Sequence, residues 1–140
     1  MRRIWVGIDG SATAQKAAGM AAEIADRFGA QLTLVYVVPR LLLPPDAYGL
    51  TVAEVEAEHR SHADEVIRAA VQALGPAGAR TATQVLYGPP AETLAEAAAA
   101  GGADLLVVGS RGHGAVARVL LGSTSDRVVH VAAMPVLVVH

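Results

Sequence analysis

The sequence predicts an α/β fold: a single open, parallel, five-stranded sheet with helices on both faces. Three observations carry that prediction. Short apolar runs alternate with longer segments whose apolar residues recur every three or four positions. Glycine or proline punctuates most of the junctions between them. The chain is 53% hydrophobic but only 4% aromatic, so its core is built from small aliphatic side chains that let layers pack closely.

The first strand is Arg3 to Ile8, ending at Asp9-Gly10-Ser11. Ser11 or Thr13 can cap the helix that follows, which runs through Ala17, Ala21, Ile24 and Phe28 to a stop at Gly29. Gln31 to Val37 is a β-branched and apolar second strand, closed by Pro39. Residues 40–50 form a loop containing Leu41-Leu42-Leu43-Pro44-Pro45. From Thr51 a second helix places Val52, Val55, His59, Ala63, Val66, Ala70 and Leu74 on one face, and Gly75-Pro76 ends it. The third strand spans about Ala79 to Tyr87, and Gly88-Pro89-Pro90 turns into a helix from Ala91 to Ala100. Gly101-Gly102 stops that helix before a fourth strand, Asp104 to Val108. A last helix from Ser123 to Ala132 and a fifth strand, Val136 to Val139, complete a Rossmann-like arrangement.

A chain of 140 residues suits one domain, 1–140, with a core of its own. The net charge of −2 and the lack of any basic run beyond Arg2-Arg3 argue against nucleic acid and against an anionic membrane surface. No apolar run approaches the ~18 residues of a membrane span. The Ile4–Asp9 segment is shorter than a signal peptide, so the expected compartment is the cytoplasm. The absence of cysteine excludes disulfides, thiolate nucleophiles and Cys-based metal sites.

The chemistry concentrates after the fourth strand, in Gly109-Ser110-Arg111-Gly112-His113-Gly114; nine residues separate Gly112 from Gly122, which is followed by Ser123-Thr124-Ser125. Gly109, Gly112 and Gly114 permit positive φ and leave no Cβ between main-chain N–H groups and a phosphate. Successive N–H groups in such a turn form an anion-binding nest. Gly122 and Ser123 open a helix whose first N–H groups and positive dipole end also favour an anion. The Ser123, Thr124 and Ser125 hydroxyls add donors to phosphate or oxygen ligands for Mg2+. The competing reading is a tight turn with Ser123 as a helix N-cap. The single lysine, Lys16, lies in the first helix and no G-x-x-x-x-G-K-[ST] occurs, which excludes a P-loop. The dinucleotide fingerprint fails as well, since the first strand leads into Gly7-Ile8-Asp9-Gly10-Ser11.

The spacing G-x-x-G-(nine residues)-G-[ST] after a buried strand resembles the ATP-binding class of universal stress proteins, over essentially the whole chain. Asp9 and Ser11 match the acidic and hydroxyl positions after the first strand, and Val37 matches the end of the second. Gly88-Pro89 and Pro135-Val136-Leu137-Val138-Val139 resemble the family's turn before helix three and its terminal strand. The resemblance implies that Asp9 accepts hydrogen bonds from the adenosine end, that the Val37 backbone meets the adenine, and that Gly109, Gly112, Gly122 and Ser123 hold the phosphates. Arg111 and His113 then supply cationic donors. The candidate set also includes Gly7, Ser110, Gly114, Thr124 and Ser125, with ATP and Mg2+ as the implied ligands.

Other residues carry less. His59 and His62 have helical spacing suited to a metal but stand on a charged helix face without further ligands, so no metal site is expected. The 41–45 run is a lid, a partner surface, or packing for the second helix. An apolar fifth strand at a sheet edge would present unpaired N–H and C=O groups. A second copy pairing through Val136 to Val139 covers them, and the resemblance implies the same homodimer. The functional expectation is a nucleotide-dependent regulatory or stress-response module, with ATP hydrolysis slow at most and no catalytic residue assigned. The alternatives are a slow Mg-dependent ATPase or phosphotransferase using Asp9 or His113, and a structural dimer without nucleotide.

Overall fold

A computed structural model describes residues 1–40, 49, 51–110 and 121–140. Among them are five strands, β1 (Arg3–Ile8), β2 (Gln31–Val38), β3 (Ala82–Tyr87), β4 (Leu105–Gly109) and β5 (Val136–Val139). Four helices alternate with them: α1 (Ala12–Phe28), α2 (Val52–Ala73), α3 (Pro90–Ala100) and α4 (Ser123–Val131). The strands form one sheet in the order β3-β2-β1-β4-β5, and every pairing is parallel.

The central strand shows why both faces must be covered. Ile4, Val6 and Ile8 of β1 pack against α1 and against Ile67 of α2, while Trp5 packs with Leu94 and Ala98 of α3 and Val128 of α4. Helices α1 and α2 therefore share one face, and α3 and α4 the other. A strand buried on both sides reads as a continuous apolar run, as β1 and β4 do. The inward stripe of α1 is Ala14, Ala17, Ala18, Ala21 and Ala25, all small, which brings that helix close to the sheet.

Local chemistry sets the ends. The Ser11 Oγ accepts from the Ala14 N–H at 3.2 Å to cap α1, and Gly29, at φ 64°, closes it in the left-handed region. Thr51 and Glu54 form a capping box on α2, with the Thr51 N–H donating to Glu54 at 2.7 Å and the Glu54 N–H to Thr51 at 3.2 Å. Those bonds, the backbone one first, hold the Glu54 carboxyl below its usual range.

Two boundaries differ from the sequence expectation. The third strand begins at Ala82 instead of Ala79, because Gly75–Arg80 forms a 3-10 helix opened by Pro76. Its Gly78 packs so closely on the Val71 carbonyl that a Cβ there would clash with it. The fourth strand begins at Leu105, after Asp104 has turned its carboxylate onto the N–H groups of Arg2 and Arg3 at 2.7 and 2.9 Å. Smaller shifts lengthen β2 to Val38, start α3 at Pro90 and end α4 at Val131.

Candidate functional site

The carboxyl ends of β1, β2 and β4 surround a crevice of about 530 Å³. It lies where the strand order turns away in opposite directions from β1, the position at which open α/β sheets bind ligands. The volume is in the small-molecule range. Gly7, Asp9, Ser11, Val37, Gly109, Gly122, Ser123, Thr124 and Ser125 all line it, so nine of the predicted residues, drawn from both ends of the chain, meet around one space. Ser110 does not line it. Arg111, Gly112, His113 and Gly114 lie outside the described residues, as does the 41–45 run.

At one end the crevice meets the N-terminus of α4. Gly122 is the N-cap, with φ −60° and ψ 157°, and it has no hydroxyl to offer the helix. Its carbonyl accepts the first intrahelical bond, from the Asp126 N–H at 2.9 Å, so the N–H groups of Ser123, Thr124 and Ser125 precede the helical ladder. Ser123 is therefore the first helical residue and not the N-cap. The Ser125 hydroxyl donates to the Gly109 carbonyl, tying the start of α4 to the end of β4. Ser110, buried, acts as a strut: its N–H donates to Val139 at 2.8 Å and its carbonyl accepts from Gly122 at 2.6 Å. Its Oγ has no hydrogen-bond partner among the described residues.

Gly109 is needed for a reason the sequence did not reveal. Its φ is not positive, which corrects the expectation of a left-handed turn. A Cβ there would stand 2.7 Å from the Ala14 nitrogen and the Thr13 carbonyl carbon, so glycine lets the start of α1 touch β4. Gly7 acts similarly on the opposite face, where a Cβ would meet Leu94 of α3.

At the other end the wall is Asp9 and the tip of β2. The Ser11 N–H donates to Asp9 Oδ1 at 2.9 Å, an Asx turn closed over Gly10, whose φ is 84°. This fixes the carboxylate on the crevice wall. Strand β1 ends opposite Tyr36, while β2 continues to Val38 against β3. Gln31 donates its N–H to the β1 side, at Arg2, and Val38 accepts from Gly88 on the β3 side. Main-chain groups alternate sides along a strand, so those of Val37 face the β1 side. The Ile8–Tyr36 register sets the Val37 N–H against the Ile8 carbonyl, the last of β1, so Val37 offers the crevice its carbonyl, an acceptor.

The walls between are apolar: Val35, Pro39, Pro90, Leu94 and Val108. Sequence reading missed these, because each also reads as a core or turn residue; the Gly88-Pro89-Pro90 turn that steers α3 over the crevice was the available signal. Asp9 is the one charged residue among the described lining. Its negative charge is the second cause, after burial, that pushes the Tyr36 phenol above its usual pKa. Arg127 of α4 donates to Glu92 of α3 at 2.7 Å, linking those two helices, and this bond is the main cause holding the Glu92 carboxyl below its usual range. Among the described residues no group of three or more His, Asp or Glu could hold a metal ion. His62 instead stands edge-on to the Tyr36 ring, with centroids 6.1 Å apart.

A five-stranded parallel sheet, wound on both faces and open at its switch point, defines a Rossmann-like α/β protein. The family model described as the universal stress protein family matches residues 1–140, and the chain belongs to that family. It is 39% identical over 141 residues to a universal stress protein of Mycolicibacterium smegmatis, covering 98% of this chain but 47% of that relative, about half its length. A universal stress protein of Thermus aquaticus is 38% identical over 138 residues, covering 99% of this chain and 98% of the relative. Among solved structures, the universal stress protein UspA from Lactobacillus plantarum superposes with a TM-score of 0.83 at 32% identity, covering 99% and 97% of the two chains. A universal stress protein in complex with cAMP superposes at 0.70 with 29% identity, covering 99% and 96%. No helix among the described residues is long and apolar enough to cross a membrane.

Proposed function

We propose that this universal stress protein is a nucleotide-dependent regulatory module that holds ATP in the crevice between β1, β2 and β4. The observation that carries the reading is the pairing of two unlike ends in one cavity. The α4 N-terminus offers N–H groups and the Ser123 and Thr124 hydroxyls, which suit phosphates. The Val37 carbonyl offers an acceptor, which suits the amino group of an adenine ring, with Asp9 beside it for ribose hydroxyls. The apolar walls suit the faces of a base. The cAMP complex of the 29% identical relative supports an adenine nucleotide in this fold.

The residues fit the ligand without a lysine clamp, because main-chain dipoles do the work of a cation. Mg2+ would arrive with the phosphates, for which the Ser123 and Thr124 hydroxyls provide oxygens. Arg111, Gly112, His113 and Gly114 would complete the phosphate end. We infer also that two copies pair antiparallel through β5, a sheet edge whose outer main-chain groups have no strand neighbour among the described residues.

Calorimetric titration tests the nucleotide reading. Saturable ATP binding, and ATP or ADP released on denaturing purified protein, are the expected results. Purified protein that releases no nucleotide and gives no heat with ATP, ADP or cAMP would falsify it.

A further inference from the structure

Tyr36 divides the crevice from a second, smaller cavity of about 260 Å³ between the tip of β2 and the N-terminal half of α2. Val38, Pro39 and the Tyr36 ring give it an apolar floor, and Arg40, His59 and His62 surround it. The two histidines are three residues apart on α2, so they project from one side of that helix. The His62 ring stands edge-on to Tyr36.

Among the described residues the charged groups that line this cavity have one sign, and no carboxylate is among them. Glu65 lines a neighbouring cavity between α1 and α2, which His62 also lines, and Asp9 lies on the crevice side of Tyr36. Arg60, next to His59, is already engaged by Asp64 at 3.1 Å. Arg40 carries a permanent charge with five donors, and each imidazole has an N–H to donate. The Tyr36 phenol, raised in pKa by burial and by Asp9, keeps its proton and remains a donor.

We propose that this cavity, ringed by Arg40, His59 and His62 over Tyr36, Val38 and Pro39, is a binding site for a small organic anion. The ligand class is a compact apolar body bearing one phosphate or carboxylate. The anion meets the guanidinium and the imidazoles while the body lies on the apolar floor. The site lies across Tyr36 and Pro39, which line both cavities, from the nucleotide crevice and does not depend on that crevice holding ATP.

The test is a titration of isotope-labelled protein with phenyl phosphate, benzoate and inorganic phosphate, read by amide shifts. Saturable shifts at Tyr36, Val38, Arg40, His59 and His62 with phenyl phosphate are expected. Benzoate producing the same shifts extends the class to carboxylates, whereas phenyl phosphate alone restricts it to phosphate monoesters. Arg40→Gln should weaken binding about tenfold or more, as loss of a charge-assisted contact does. The double variant His59→Gln, His62→Gln should weaken it too, with thermal melting confirming that both proteins fold. Shifts confined to Gly122, Ser123, Thr124 and Ser125, no saturable shift at all, or unchanged affinity in Arg40→Gln would overturn the proposal. Inorganic phosphate binding as tightly as phenyl phosphate would overturn the role of the apolar floor.

Discussion

Replacing Gly122 with aspartate should move stability and binding in opposite directions. The residue is the N-cap of α4 with φ −60° and ψ 157°, a conformation any residue adopts. Aspartate is among the best N-caps; its carboxylate accepts from the N–H two or three positions on, here Thr124 or Ser125. The gain over glycine is a few tenths of a kcal/mol from the cap, with about 0.3–1 kcal/mol more from the helix dipole. The same carboxylate takes a donor intended for phosphate and sets a negative charge beside it. At about 4 Å and an effective dielectric near 20, two unit charges repel by roughly 4 kcal/mol, close to a thousandfold in affinity. Nucleotide-free Gly122→Asp should therefore melt at or slightly above the parent temperature while ATP affinity falls at least a hundredfold. Calorimetry and thermal melting on the same preparation give both readings. Parental affinity in the folded variant would refute the placement of phosphate at α4. Lost affinity together with a large drop in melting temperature would show that Gly122 is needed for the fold instead.

Gly109→Ala drives a Cβ to 2.7 Å from α1 backbone and should cost about 1–3 kcal/mol, a fall of roughly 3–10 °C in melting temperature for a domain of this size. A shift under a degree would contradict the close approach. Asp104 takes two backbone N–H groups, which hold its carboxyl below the usual range, so its contribution is full above about pH 4 and lost as pH falls through the lowered value. Asp104→Asn should flatten that acid limb of a melting-temperature profile and leave neutral-to-alkaline slopes unchanged. The Val139 carbonyl faces β4, so the Val138 N–H faces the open edge. Val138→Pro should thus convert the expected dimer to a monomer by light scattering without breaking the β4–β5 ladder. A parent that is already monomeric at micromolar concentration would remove the dimer.

The sheet was legible because strand and helix periods differ and because Gly29, Pro39 and Gly101-Gly102 mark the breaks. Boundaries failed where a side chain or turn acted on distant backbone. Asp104 precedes four apolar residues and reads as strand, but its carboxylate serves Arg2 and Arg3. The residues after Pro76 read as the approach to a strand, but that proline opens a 3-10 helix. The crevice was legible from residues whose chemistry needs no partner to be recognised, namely glycines, hydroxyls and Asp9. Its physical logic was less so. Gly109 reads as a residue chosen for positive φ, whereas its constraint comes from Thr13 and Ala14, which adjoin it only in the folded chain. Leu94 and Val108 look like core in any sequence, and only the fold turns them toward a cavity.

The same contacts that form the crevice also connect it to the sheet edge. The Gly122 N–H donates to Ser110, and the Ser110 N–H donates to Val139 at the end of β5. The Ser125 hydroxyl holds the Gly109 carbonyl beside this chain. The first turn of α4 and the last residue of β5 are thus two hydrogen bonds apart, through one buried residue. Fixing either end restricts the other, because Ser110 can satisfy both bonds only when its peptide planes keep their orientation. An anion on the α4 N–H groups fixes one end, and a strand added to β5 fixes the other. On the nucleotide reading proposed above, ATP should therefore slow amide exchange at Ser110 as well as at Gly122, and hydrogen exchange with and without ATP checks this; protection at Gly122 with none at Ser110 would refute the coupling.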